Sequence, residues 1–338
     1  MKKIITWMVV VVACGSLLML IFGSRCGGDM IIMQDDSTVD KVQRLAEQGN
    51  ASAQYDLAER YIHGGVGGKN VLEAAKWYRK SAEQGHALAQ YKMGLCCMNG
   101  EGVKKNVIEA AKWFEKSAKQ GAPVAQFLLG VCYIKGEGVV KDCYEGVKWL
   151  RKSAEQGNAD AQVWLGCCYE EGIGASKDVV KAVDWYRKSA EQGNPCGQLH
   201  YGDCYEYGKG VEQDWDESAR WYKMSAEQGN RDGQRLLGWC YEHGKGVSKN
   251  LLEAVKWCRM AAEQNDGVAQ FRMGTYYEKG IGVEKNNEKA RHWYVLAESN
   301  GANEATKRIS KIETQSYNDI VISAGLSTIV RIITRGLK

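Results

Sequence analysis

The sequence predicts an all-α fold: a right-handed αα-superhelical solenoid of seven 36-residue helix-turn-helix repeats, with capping helices at both ends. Three observations predict it. Tryptophan recurs at Trp77, Trp113, Trp149, Trp185, Trp221, Trp257 and Trp293, a step of 36 residues without insertion or deletion. An Ala-Gln pair keeps that step at 53–54, 89–90, 125–126, 161–162 and 269–270, with Gly197-Gln198 and Gly233-Gln234 in register. Between these marks stand Gly-x-Gly turns that end in Asn or Asp. A fixed period of this length is the signature of stacked helix pairs, each copy shielding the apolar face of the next. The strict period replaces the two-domain expectation that 338 residues would otherwise raise.

In chain order, residues 1–24 hold Lys2 and Lys3 and then an apolar run from Ile4 to Phe22. That run exceeds a secretory apolar core of about 7–15 residues and suits a bilayer-spanning helix of about 17–25. The expectation is an uncleaved membrane anchor. With the two lysines held in the cytoplasm, the repeats then lie on the non-cytoplasmic side, in a periplasm, cell envelope or secretory lumen. A cleaved or lipidated signal at Val11-Val12-Ala13-Cys14-Gly15 is the alternative. Residues 25–36 read as a tether and 37–316 as the repeat solenoid. Residues 317–338, apolar with Arg331, Arg335 and Lys338, read as a C-terminal capping or amphipathic helix.

Each repeat divides into two helices. The first, taken over Ala87–Asn99, aligns Ala89, Met93 and Cys97 on one face. Gly94 also falls there, and since a mid-helix Gly costs about 0.5–1 kcal/mol against Ala, its recurrence demands close approach of another helix. Gly100 ends this helix. Asn106 caps the second, with Glu109 three residues on as a capping box. The second helix passes through Trp113, read as inter-helix core, and stops at Gly121. Before the first repeat, Leu45 to Gly49 supply half a unit as the opening cap; after the last, Ala302–Thr314 repeats the first helix without its Leu-Gly.

The unit resembles the Sel1-like repeat, a relative of the tetratricopeptide repeat, in its Ala-Gln, Leu-Gly, Tyr, Gly-x-Gly-Val, Lys-Asp/Asn, Ala-x-x-Trp-Tyr and Ala-x-x-Gly signature. The resemblance covers about 37–310 and implies an αα-superhelical scaffold that binds other proteins, often in membrane-associated or secretory settings. The first unit departs from it at Gly64-Gly65-Val66-Gly67-Gly68. Cysteine-rich members of the family join a Cys ending one helix to a Cys opening the next. Those columns here hold alanines, as at Ala82 and Ala89, and the Ser-x-x-Lys of penicillin-type chemistry does not occur.

The search for chemistry yields no catalytic constellation, no metal site and no cofactor, and the chain reads as a non-enzyme. Twelve cysteines include a column at Cys96, Cys132, Cys168, Cys204 and Cys240. Neighbours in it should lie about 8–10 Å apart, beyond the roughly 7 Å that a disulfide spans, and no Cys-x-x-Cys occurs. They read as small buried residues, although free thiols sit awkwardly in an oxidising compartment. The five histidines lack ligand spacing, and the Gly-x-Gly turns join two helices where a phosphate cradle would join a strand to a helix. A net charge of +4, with both signs interspersed, does not imply nucleic acid.

What remains is a variable face of the first helices, expected to line a concave groove. Its columns carry Leu95, Leu128, Val131, Trp164, His200, Leu236, Trp239 and Arg272. Apolar area on such a wall marks a protein or peptide partner. The function expected is therefore an interaction scaffold or adaptor, tied to the membrane through its N-terminal helix. The alternatives are a structural cell-envelope component that self-associates and a small-molecule or enzyme-like site in the groove.

Overall fold

The computed structural model describes residues 36–65 and 68–314, and among these the regular structure is helical throughout. The chain divides into two compact units, 1–84 and 85–338. The first contains α1 (Asp36–Glu47), α2 (Ala51–His63) and α3 (Val71–Glu83). The second begins with the pairs α4 (Ala87–Asn99) and α5 (Val107–Lys119), α6 (Pro123–Lys135) and α7 (Cys143–Glu155), and α8 (Ala159–Glu171) and α9 (Val179–Glu191). It continues with α10 (Pro195–Tyr207) and α11 (Trp215–Glu227), α12 (Arg231–His243) and α13 (Leu251–Glu263), and α14 (Gly267–Lys279) and α15 (Asn287–Ser299). Residues 304–314 form α16.

The expected membrane placement is corrected. Among the described residues no helix is long and apolar enough to cross a membrane. The repeat helices are 13 residues long, about 20 Å at 1.5 Å per residue, against a hydrocarbon core of about 30 Å. Neither the non-cytoplasmic location nor a membrane contact is retained. The run 4–22, residues 25–35 of the expected tether 25–36, residues 66–67 of the first turn and the segment 317–338 lie outside the described residues, and Asp36 opens α1.

The helix ends follow their local chemistry. Gly100, Gly136, Gly172, Gly208, Gly244 and Gly280 close the first helices of the second unit in the left-handed conformation. Asn106 Oδ1 accepts from Glu109 N at 3.1 Å, and Asp142, Asp178 and Asp214 cap their helices in the same way. The expected capping box is only half formed. The Asn106 and Asp142 backbone amides donate instead to Cys97 O and Tyr133 O of the preceding helix, at 2.7 and 2.9 Å. Glu145 is left to pair with Lys148 at 2.9 Å, and Glu109 Oε1 accepts from Trp113 Nε1 at 3.3 Å.

The mid-helix glycine has the packing reason expected of it. A Cβ on Gly166 would stand 2.5 Å from Tyr186 Cε1, and Gly94, Gly202 and Gly274 face Phe114, Tyr222 and Tyr294 in the same way. The second helix thus lays a ring against bare backbone of the first. This ring column, one residue after the tryptophans, is the true centre: Tyr78, Phe114, Leu150, Tyr186, Tyr222 and Tyr294 are all at most 2% exposed. The tryptophans lie 100° further round. Trp113, Trp221 and Trp257 are buried and the other four half-buried, with lysine ammonium groups over several rings, as Lys188 is 4.1 Å from the centroid of Trp185.

Successive repeats are joined by a polar ladder. Buried Gln162 donates through Nε2 to Ala154 O, at the end of the preceding second helix, at 3.1 Å. Its Oε1 accepts from Gln192 Nε2 at 2.7 Å. The same two bonds recur at Gln126, Gln198, Gln234 and Gln270, with Asn300 as the last donor. Ser189 Oγ adds a bond to Ala159 O at 2.9 Å. The column cysteines Cys96, Cys132, Cys168, Cys204 and Cys240 are buried and free, and burial pushes the Cys132, Cys204 and Cys240 thiols up to about 12.

Two outcomes are expected from this packing. Gly166→Ala should lower stability by about 1–3 kcal/mol through overpacking, with a thermal unfolding midpoint below that of wild type. Gln162→Ala removes the bonds to Ala154 O and from Gln192 Nε2, which keep Gly157 N and Lys188 O as partners, and should cost about 0.5–1.5 kcal/mol in denaturant titrations without changing helix content by circular dichroism.

Candidate functional site

On each first helix, positions i, i+4, i+7 and i+11 form one stripe. Leu88, Lys92, Leu95 and Asn99 line it on α4; Val124, Leu128, Val131 and Lys135 on α6; Asp160, Trp164, Cys167 and Glu171 on α8. Neither α4 nor α6 contains a single Asp or Glu. Leu88 is 50% and Val124 41% exposed. Leu95, Leu128, Val131 and Trp164 are half-buried. Trp164 turns an edge to Phe127, with ring centroids 6.3 Å apart, and Lys135 Nζ lies 5.6 Å from its centroid. On α4 and α6 the stripe is therefore apolar, with Lys92 and Lys135 as its charges; Glu137, in the turn after α6, lies 3.9 Å from Lys135.

From α8 onward the stripe runs beside an ionic band. Tyr186 Oη donates to Glu170 at 2.8 Å, Tyr276 Oη to Glu242 at 2.7 Å and Tyr294 Oη to Glu278 at 2.6 Å. Lys209 Nζ binds Glu170 at 2.6 Å. Burial would raise the Glu170 carboxyl, but hydrogen bonds from Lys209 and Tyr186 outweigh it and hold the group below its ordinary value.

Arg272, expected on the groove wall, has Nη1 3.4 Å from Glu242. Arg235 binds Asp232 at 2.9 Å and approaches Asp266 at 3.3 Å. His200 is the expected residue placed furthest from solvent. It is 5% exposed, stacked on Tyr186 at 4.9 Å, and burial lowers its imidazole to about 4, which leaves it neutral. Leu236 and Trp239 are half-buried, with Trp239 between Trp215 at 5.7 Å and His243 at 4.7 Å. Among the described residues no group of three His, Cys, Asp or Glu is arranged to hold a metal ion.

The tyrosine–glutamate pairs had a signal in the sequence that went unread. Three of these rings stand 16 residues after their acid: Tyr186 with Glu170, Tyr222 with Glu206, Tyr294 with Glu278. At Phe114 and Leu150, which lack a hydroxyl, the residues 16 back are Met98 and Ile134; at Cys258 the residue 16 back is Glu242, which takes its phenol from Tyr276 of the next repeat. Each of these acids has a phenol as donor, from its own repeat or the next, because a carboxylate withdrawn from water needs one.

The repeat register, the glycine-ring packing and the inter-repeat ladder now stand together, and the Sel1 repeat model matches seven segments: 51–86, 87–121, 123–158, 159–194, 197–230, 231–266 and 267–301. The chain belongs to the Sel1 repeat family. Among solved structures this Sel1 repeat protein is similar to a protective antigen present in uropathogenic Escherichia coli strains displaying an SLR fold. The identity is 39% and the TM-score 0.70, over 81% of this chain and 59% of that one. It is also similar to a Sel1 repeat protein from Oxalobacter formigenes, at 32% identity and a TM-score of 0.68, over 82% of this chain and 80% of that one. The chain thus spans well under two thirds of the length of the Escherichia coli antigen. No curated protein matches it.

The charge network generates one expectation. Glu170 has a depressed folded value, so its pairing contributes stability above the ordinary carboxylate range, and that contribution is lost as pH falls through the folded value. Lys209→Met should therefore cost roughly 1–2 kcal/mol at pH 7. The gap from wild type in denaturant unfolding should shrink as pH drops below about 4.

Proposed function

We propose that this Sel1 repeat protein is an interaction scaffold whose partner docks on the stripe formed by α4, α6 and the start of α8. The observation that carries the reading is the pair of adjacent first helices without any acidic residue, presenting Leu88, Leu95, Val124, Leu128 and Val131 beside Lys92 and Lys135. Apolar side chains at such exposure, lined with lysine and closed by Trp164, suit a protein or peptide segment that offers aliphatic or aromatic residues with acidic neighbours. Trp239, with Trp215 and His243, supplies a second aromatic contact further along. His200 and Arg272, by contrast, are committed to contacts within the chain and act in this reading as wall. Family membership supports binding in general; the choice of surface rests on the residues themselves. The reading assigns binding and no turnover.

The test is affinity capture with wild type and with Leu88→Asp/Val124→Asp, both exposed, so that stability should stay within about 0.5 kcal/mol. Loss of the captured partner is expected. Leu252→Asp, on a second helix and 72% exposed, should leave it. Equal capture by all three proteins removes the proposal, and a shift of the wild type alone to a larger species in solution would point to a second copy of the chain as the occupant.

A further inference from the structure

The first and second helices of the fifth repeat meet at a group of titratable side chains that the partner reading does not use. Tyr222 Oη lies 2.7 Å from Asp203 Oδ1 and 2.5 Å from Glu206 Oε2. Glu206 is 7% exposed and Tyr222 fully buried, and the Asp203 side chain is 18% exposed. A phenol has one proton. With both carboxyls ionised, one of these two short contacts would set oxygen lone pairs against each other with nothing between them. Both contacts persist only if a second proton is present, carried by one carboxyl group that donates to Tyr222 Oη while the phenol donates to the other.

We propose that Asp203, Tyr222 and Glu206 hold one shared proton in the folded protein, and that this proton is a built-in pH switch on the contact between α10 and α11. Asp203 is its seat, since burial, with the Glu206 and Glu170 charges adding to it, raises the Asp203 carboxyl to about 7. Loss of the proton places two negative charges on one hydroxyl, and the more exposed Asp203 is the partner released.

The surroundings give Glu206 one further donor, the Tyr207 phenol, and leave Asp203 its contact to Tyr222. On α10, His200 Nδ1 is 3.8 Å from Asp203 Oδ2 and is held neutral by burial; burial raises Cys204, and burial together with a hydrogen bond to Glu206 raises Tyr207, so both stay neutral. From the preceding repeat, Glu170 faces the site, and burial keeps Cys167 and Tyr186 in their neutral forms. Lys209, in the turn after α10, is committed to Glu170 at 2.6 Å. From the following repeat, Arg235 is bound to Asp232 and Asp266.

The stability signs of the two unusual groups are opposite. Asp203, raised above its ordinary 3.8, contributes stability that is lost as pH rises through about 7. His200, lowered from 6.5 to about 4, contributes stability that is lost as pH falls through that interval. The window above pH 6.5 isolates Asp203.

The test is carbon-13 NMR of the full chain labelled at aspartate carboxyls, with unfolding followed between pH 6.5 and 8. Expected is one aspartate resonance with a midpoint near 7, absent in Asp203→Asn, whose amide replaces the donated proton, and shifted to lower pH in Glu206→Gln. Wild type should lose stability across that window, and Asp203→Asn should not. Aspartates that all titrate in the ordinary range, a midpoint near 7 that ignores Glu206→Gln, or a His200 imidazole that titrates near 6.5 would each overturn the proposal. Should Asp203→Asn not fold, the wild-type titration and Glu206→Gln still decide it.

Discussion

Where a first helix lacks a Cβ, the second helix of the same repeat inserts a ring. At Gly166 the ring is Tyr186, at Gly202 Tyr222 and at Gly274 Tyr294, and in each case an added methyl would overlap the aromatic carbons. The helix propensity given up at each glycine, about 1 kcal/mol against Ala, is offset by burying an entire aromatic side chain against backbone. Variation at this point is matched on both sides. Gly130 faces Leu150, and a second glycine, Gly146, stands where its helix crosses, so a smaller side chain is accompanied by closer backbones.

A repeat packed in this way still has two open faces, which close by apolar packing, as Tyr222 and Ala226 meet Leu237 and Cys240 of the next repeat, and by the glutamine ladder. Each buried Gln satisfies a carbonyl at the end of the previous second helix and an amide at the end of its own. A carbonyl at a helix terminus has no partner inside the helix, and a buried one must find a partner elsewhere. The ladder therefore ties register to hydrogen bonding: a slip of one residue would break both ladder bonds in every repeat. In arrays whose stability is a sum of neighbour terms, such a rule keeps the period from drifting.

The interior leaves the outer positions of the first helices free to differ, and they do so in blocks. Neither α4 nor α6 carries an acid; from α8 onward a glutamate beside the stripe is matched in most repeats by a phenol beneath it. The Asp203–Tyr222–Glu206 group is the place where this pairing is overfilled, with two carboxyls and one hydroxyl. Low local dielectric strengthens each satisfied bond and penalises each unsatisfied one, so an overfilled site carries a proton where its neighbours carry none.

Much of the architecture was legible in the sequence because it is periodic. The Trp step, the Gly turns and the Asn or Asp caps are local signals, and helix ends such as Ala87 and Asn99 follow from them. The tryptophan column drew attention as the core because it is invariant, yet the ring one residue later holds the centre. A 100° rotation separates a fully buried side chain from a half-buried one, and composition alone does not reveal which side of a helix faces inward. The face of the first helices was legible as a set of columns, but the fate of each member was not. His200 and Trp239 sit in neighbouring columns of that face, and only their surroundings make one a buried neutral imidazole and the other an aromatic contact near the surface. The period, the helix pairs and their caps depend on residues a few positions apart, and the order of amino acids suffices for them. Which polar groups meet across 16, 19 or 30 residues, and which are left charged, was settled by the packing, because burial and hydrogen-bond partners belong to the assembled helices and to no single segment of chain.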